Sequence, residues 1–442
     1  MGNGYHQTPN IDELAAEGVV FTNAYANAPN CAPTRASLMS GQYTPRHGIY
    51  TVDTSERGSA NLRRLIPTPN KTELDTKRVT IAEALKPGGY TTGCIGKWHL
   101  GEREPFRPQD QGFDVVFDRS GGGHFTDDGR YLTDVLTEKA IQFIENNKGK
   151  PFFLYLAHHA VHVPLEAKPE LVEKYKNKPP SGNHKNPTYA AMIESVDQSV
   201  AAILAKLDEL NLRGNTVVFF FSDNGGYGNA TSMEPLRGSK GMLYEGGIRV
   251  PLIIRWPGRT KAGLVCDAPV IGMDFYPTIL DIAGLKKPEH HILDGQSIVP
   301  LLNPNGRDFK SACNRFQNRP IFWHFPAYLE PYNDSQRPWR TTPAGAVRKS
   351  HWKLIEFFED GKIELYNLAD DIDEKNDLAE SLPEKAEELH KELISWRMTI
   401  SAPVPTQLNP QFDAGALDAA GRARCVSPCA AAPIKPHIRF CP

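Results

Sequence analysis

Stripes of helical periodicity alternate along this chain with short runs that are apolar at every position, and few folds can accommodate that pattern. Tyr131 to Asn147 places Leu132, Val135, Leu136, Ala140, Ile141, Phe143 and Ile144 on one helical stripe, and the run Phe152 to Ala157 follows it. Thr188 to Leu210 repeats the helical pattern ahead of a second run, Val217 to Phe221. A strand without polar alternation must be buried on both faces, and an intervening helix supplies the crossover that parallel strands need. The pattern predicts an α/β fold in which a mostly parallel central sheet is covered by helices on both faces.

Weaker signals extend the same reading. Thr8, Pro9 and Gly18 bracket an early helix that contains Asp12 and Glu13, Val79 to Leu85 reads as a helix closed by Pro87-Gly88-Gly89, and Met273 to Ala283 as one ended by Gly284. Tyr90 to Ile95 and Pro251 to Trp256 are expected as strands, whereas Val52 to Arg78 reads as an excursion without regular structure. From about residue 310 the signals change to short strands, Ile321 to Phe325, Gly345 to Arg348, Trp352 to Phe358 and Ile363 to Asn367, the last two joined by the turn Glu359-Asp360-Gly361. A final helix, Pro383 to Arg397, has Ala386, Leu389, Leu393 and Trp396 as its inner stripe. We therefore expect an α/β domain over 1–309, a smaller antiparallel subdomain with one helix over 310–410, and a loose Ala-, Gly- and Pro-rich tail over 411–442.

In parallel sheets ligands sit beyond the carboxyl ends of the strands. Lys97 and His99 follow the Tyr90 strand, His158, His159 and His162 follow the Phe152 strand, and Asp223-Asn224 follow the Val217 strand. The net charge of −2 gives no general attraction to nucleic acid or an anionic membrane, so anion binding has to come from such a local cluster. No apolar run approaches the ~20 residues of a membrane span.

Cys31 adds the nucleophile-like element. In Asn30-Cys31-Ala32-Pro33-Thr34-Arg35-Ala36-Ser37-Leu38-Met39-Ser40-Gly41, Pro33 and Thr34 can start a helix that Gly41 ends, with Cys31 immediately before it. The free N–H groups of a helix start, with Arg35 one turn on, favour an anion beside Cys31. The other cysteines, Cys94, Cys266, Cys313, Cys425, Cys429 and Cys441, form an even set open to disulfide pairing, and Cys425-Val-Ser-Pro-Cys429 lacks partners for zinc. Asn229-Ala-Thr231 and Asn333-Asp-Ser335 would be glycan acceptors only on a eukaryotic secretory route.

Cys31-x-Pro33-Thr34-Arg35 with Leu38, Ser40-Gly41 and Tyr43 resembles the signature of the formylglycine-dependent sulfatases, whose fold is alkaline-phosphatase-like. Gly89-Tyr90-Thr91-Thr92 with Gly96-Lys97-Trp98-His99 resembles their second signature, and Leu236-Arg237-Gly238-Ser239-Lys240 their sulfate-binding lysine segment. The resemblance implies that a maturation enzyme, formylglycine-generating or anaerobic, oxidises Cys31 to formylglycine, whose hydrate attacks the sulfur of a sulfated sugar or small sulfate ester. It further implies that Arg35 and Lys97 pin that hydrate, that Lys240 and His162 contact the sulfate, and that His99 takes the proton that drives sulfate out. A divalent cation, calcium in this expectation, would be held by Asp223 and Asn224 with position 31 alongside. In the resembled family a buried first strand ending in two aspartates precedes the segment matched by Thr8-Pro9-Asn10; no such strand precedes it here. We therefore expect a truncated chain that binds metal weakly. The family resemblance implies a periplasmic or secreted protein, although the chain shows no signal segment. Two other readings compete: a catalytically impaired fragment or pseudoenzyme that binds sulfated glycans, and a phosphatase or phosphodiesterase, against which Cys31 speaks because that class places Ser or Thr there.

Overall fold

The structure, a computed structural model, describes residues 3–119, 122–332 and 338–417. Its strands are, in chain order, β1 (Val19–Phe21), β2 (Ala24–Tyr25), β3 (Thr91–Gly96), β4 (Val115–Phe117), β5 (Phe152–Ala157), β6 (Val218–Phe221), β7 (Leu252–Arg255), β8 (Leu264–Cys266), β9 (Val270–Ile271), β10 (Ile321–Phe325), β11 (Ala344–Lys349), β12 (Trp352–Phe357) and β13 (Ile363–Asn367).

Three of them form a parallel ladder in the order β4-β3-β5, with Gly93 opposite Leu154 and Gly96 opposite Ala157. A second ladder runs β6-β7-β1-β8, and β2 pairs in parallel with β9. Strand β7, expected among the parallel set, runs antiparallel to both β6 and β1. The physical reason lies in its connection, because the segment from Ser222 to Val250 carries a single short helix, Glu245–Ile248, and no crossover helix.

Alternate side chains of β5 serve two helix layers. Phe152, Leu154 and Leu156 pack with Leu132, Leu136 and Ala140 of the Leu132–Asn147 helix and with Leu207 of the Pro187–Glu209 helix. Phe153 and Tyr155 pack on the other side with Ala32, Ala36 and Met39 of the Cys31–Ser40 helix, and Phe153 also meets Leu280 of the Phe275–Ala283 helix. The sheet thus has helices on both faces, as the unbroken apolar runs require. Among the shorter helices, Ile81–Leu85 is fixed by a reciprocal cap, in which Glu83 N–H donates to Thr80 Oγ1 and Thr80 N–H donates to Glu83.

Strands β10 to β13 form a fully antiparallel sheet, and the Pro383–Thr399 helix lies over it with Leu389 and Leu393 buried. Trp396 stacks on Phe322 with ring centroids 4.6 Å apart. A buried ion group joins this sheet to β2 and to the Glu245–Ile248 helix: Lys353 of β12 reaches both Glu245 and Glu374 at 2.9 Å, and Tyr25 donates to Glu245 at 2.7 Å. The Phe309–Asn318 helix has no counterpart in the sequence reading. Within the expected tail, Asp413 N–H still donates to Asn61, and residues 418–442, with Cys425, Cys429 and Cys441, lie outside the described residues, as does Asn333. The described cysteines Cys31, Cys94, Cys266 and Cys313 are free thiols.

Candidate active site

Cys31 is the first residue of its helix rather than the one before it, because Pro33 is accommodated within the first turn. Asn30, at the cap position, donates its side chain to Thr51 Oγ1 at 2.8 Å and makes no side-chain cap hydrogen bond. First-turn N–H groups therefore remain for a ligand, at the positive end of the helix. Gly41 closes the helix in the left-handed region, φ 68°, with its N–H on Ser37 O.

Around the thiol the strand ends deliver their side chains as the alternation requires. Lys97 Nζ lies 3.7 Å from Cys31 Sγ, and His99 Nδ1 lies 3.5 Å from it. Both follow β3, whose last residue, Gly96, has φ 100° and approaches β5 so closely that a Cβ would sit 2.1 Å from Ala157 O. His99 itself has φ 64°, a conformation that costs about 1–3 kcal/mol and is typical of residues held for a purpose. Burial, then Lys97 and Arg35, push its pKa down to about 3, so the ring is neutral.

Arg35 is held on every side. Its Nε and Nη2 bind Asp223 Oδ2 at 2.8 and 2.6 Å, and its Nη1 donates to Lys97 O at 2.6 Å and to Tyr155 OH at 3.1 Å. Burial opposes the Asp223 charge, yet Arg35, Lys240 and Lys97 outweigh it and hold the carboxyl at about 2. Three cations thus face one carboxylate, and the balance favours an anionic ligand.

His162 and Lys240 line the same cavity as Cys31, Lys97 and Asp223. His162 Nδ1 donates to Val163 O at 2.8 Å, and burial with Lys240 and Lys97 nearby lowers its pKa to about 4. The structure separates the three histidines of that loop: His158 is tied to Ser199 Oγ at 3.1 Å, while His159 lies beside Lys97 and Arg35 with Nε2 buried and unpartnered. Tyr155 is a site residue that sequence reasoning missed, whereas His159 was among the strand-end histidines it named without a role. Tyr155 was legible only as one of an apolar strand, although its position two residues before Ala157 puts it on the face of Arg35.

Four aromatics of the segment from His324 to Thr342 (Phe325, Tyr328, Tyr332 and Trp339) could either stack on a sugar or cover the small subdomain. Phe325 and Tyr328 are fully buried, and Trp339 packs on Tyr328 at 4.8 Å, so these three are cover. Tyr332 alone of the four lines the cavity, donating to Lys240 O at 2.7 Å beneath the Arg340 guanidinium.

Asn224 Oδ1 is buried without a partner and Asp223 is 27% exposed beside it, a pair of oxygens suited to a hard cation. Calcium takes about six to eight oxygens, and the described residues contain no group of three or more metal-ligating His, Cys, Asp or Glu side chains. The donors present do not fit a tightly held ion.

Anion-binding groups are gathered beyond the carboxyl ends of a parallel-rich sheet, with a separate four-stranded antiparallel sheet beside it, an arrangement shared with hydrolases of the alkaline-phosphatase-like superfamily. Comparison with known proteins narrows this. Residues 1–285 match the sulfatase family, and residues 238–399 match the C-terminal region of N-sulphoglucosamine sulphohydrolase. A sulfatase of Formosa agariphila is 31% identical over 91% of this chain and 85% of its own length. The human N-acetylgalactosamine-6-sulfatase is 32% identical over 73% of this chain, which spans 64% of that protein. The solved structure of Ps i-CgsB with k-i-k-neocarrahexaose superposes with a TM-score of 0.75 at 29% identity, over 96% of this chain and 94% of that one. The chain belongs to the sulfatase family and is a sulfuric ester hydrolase. No described helix is long and apolar enough to cross a membrane.

Proposed function

We propose that this protein removes sulfate from a sugar monoester, using Cys31 after its oxidation to formylglycine. The observation that carries the reading is the thiol at an uncapped helix start with Lys97 Nζ and His99 Nδ1 within 3.7 Å. Formylglycine supplies a hydrated aldehyde, whose hydroxyl is the nucleophile that a thiol cannot replace.

The chain's own residues do the rest. Helix N–H groups and Lys97 hold the developing oxyanion at position 31, and preorganised donors of this kind act most strongly in a dry site. Arg35, fixed by Asp223, Lys97 O and Tyr155, holds those groups in register. Lys240 and His162 bind the sulfate oxygens, and one of them protonates the leaving alcohol. His99, neutral and in contact with position 31, accepts the proton whose loss releases sulfate. Asp223 and Asn224, with position 31, are the groups that would face a calcium ion, and as a pair of oxygen donors they hold it weakly.

Sugar sulfates are favoured because one relative is named an N-acetylgalactosamine-6-sulfatase and a similar solved structure is in complex with k-i-k-neocarrahexaose. A formylglycine-generating or anaerobic maturation enzyme is the required partner, and the periplasm or the cell exterior the matching compartment. Coexpression with a formylglycine-generating enzyme, followed by assays on a chromogenic aryl sulfate and sulfated monosaccharides, tests the reading. Sulfate release is expected. Folded protein with converted Cys31 that releases none would overturn it in favour of a glycan-binding pseudoenzyme.

A further inference from the structure

Lys240 stands at the tip of a loop that opens at Arg237 and closes at Glu245, and both feet of that loop are held from the antiparallel sheet. At the first foot Arg237 Nη1 donates to Glu374 O at 2.7 Å and to Tyr366 OH at 2.9 Å, while its guanidinium lies 3.9 Å over the Tyr244 ring. At the second, Glu245 N–H donates to Glu374 Oε2 at 2.7 Å. One residue of the loop that follows β13 therefore grips both feet, the first with its main-chain oxygen and the second with its carboxylate. Glu374 is fully buried and has φ 50°, a left-handed conformation that a residue with a side chain keeps only where its surroundings enforce it. Those surroundings are specific: Lys353 of β12 lies 2.9 Å from Glu374 Oε1, and the hydroxyls of Tyr244 and Tyr366 both donate to Glu364 Oε2, at 2.7 and 2.8 Å.

Between the feet the backbone has no room to adjust. Gly246 N–H donates to Arg237 O at 2.8 Å, and a Cβ on Gly246 would lie 2.4 Å from Gly238 O. A Cβ on Gly247 would lie 2.0 Å from Met242 O. The tip is tied to the site by its own main chain: Lys240 N–H donates to Gly226 O at 3.0 Å, just past Asp223, and Gly241 N–H donates to Pro29 O at 2.9 Å, just ahead of Cys31. Close-packed backbone transmits a displacement instead of absorbing it, so a shift at either foot reaches Lys240.

We infer that Glu374 is a positioning residue for anion binding: by holding Arg237 and Glu245 it sets where Lys240 stands in the cavity that it shares with Cys31. The antiparallel sheet is then part of the sulfate site without touching the sulfate. The inference rests on the reading of Lys240 as a sulfate ligand given above. A residue that served stability alone would lower the melting temperature when removed and leave the sulfate affinity of the folded protein unchanged.

The test is a double-mutant cycle on the full chain, read as affinity for inorganic sulfate by titration calorimetry well below the melting temperature of each variant. Glu374→Ala is expected to weaken sulfate about tenfold and Lys240→Ala about 10–100-fold. The double variant should bind like Lys240→Ala, because position 374 acts only through residue 240. Glu374→Gln keeps a side-chain oxygen for Glu245 N–H and should stay within about threefold of the wild type. Wild-type affinity in folded Glu374→Ala, losses that multiply in the double variant, or a Gln variant as weak as the Ala variant overturns the proposal. Where Glu374→Ala does not fold, Arg237→Met takes its place in the cycle, since it frees the first foot without touching the buried carboxylates, and the same outcomes decide. A wild-type chain that binds no sulfate overturns the anion site and the proposal with it. Intact coupling in a protein that releases no sulfate from esters supports the proposal and excludes hydrolysis alone.

Discussion

At the scale of single residues the sequence was most informative where a motif demands one chemistry. Cys31, Arg35, Lys97, His99, His162, Asp223 and Lys240 meet in one cavity although they span more than two hundred positions. What sequence could not give was which partners each would take: that Arg35 spends its guanidinium on Asp223, Lys97 O and Tyr155 follows only from the crossing of the Cys31 helix over β3 and β5. A His99→Ala variant of matured enzyme should lose about 10²–10⁴-fold in kcat with an unchanged melting temperature; loss of less than tenfold would remove His99 from proton transfer. Buried histidines away from the site set an acid limit. Burial pushes His47 down to about 3 and His324 to about 4. Their folded pKa values lie below the unfolded value near 6.5, so unfolding takes up protons and stability falls as pH drops below about 6.5. Each contributes at most about 1.4 kcal/mol per pH unit. Urea unfolding at pH 7.5 and pH 5 should show the drop, and a His47→Gln, His324→Gln variant a shallower one; identical slopes would contradict the assignment.

At the scale of elements, long periodic segments were legible and short ones were not. Strand β5 and the Leu132–Asn147 helix fall where periodicity puts them, to within a residue, because six apolar residues or four helical turns carry enough signal. Strands β1, β2, β4, β8 and β9, of two or three residues each, are set by their neighbours in the sheet, and no local pattern marks them. The antiparallel direction of β7 was likewise illegible, since it depends on the path of the preceding segment. Nor did a lone lysine in Trp352-Lys353-Leu354 announce a buried ion group, yet Lys353 of β12 ties the Glu245–Ile248 helix to the loop that carries Glu374. Lys353→Met leaves two carboxylates without their cation and should cost about 3–5 kcal/mol, read as a lower urea midpoint. A change under about 1 kcal/mol would mean that the carboxylates find other partners or protons.

At the scale of the whole molecule, the fold class, the two kinds of sheet and the site beyond the strand ends were all implied by the order of motifs. The metal site is testable at the same scale: with Asp223 and Asn224 as oxygen donors, titration calorimetry should find weak calcium binding, and tight binding would contradict it. The account as a whole turns on position 31. Protein coexpressed with a formylglycine-generating enzyme, its Cys31 conversion checked by mass spectrometry, should hydrolyse a chromogenic aryl sulfate in excess calcium, and the Cys31→Ala variant should not. Equal hydrolysis by both, or none by folded and converted protein, would contradict it.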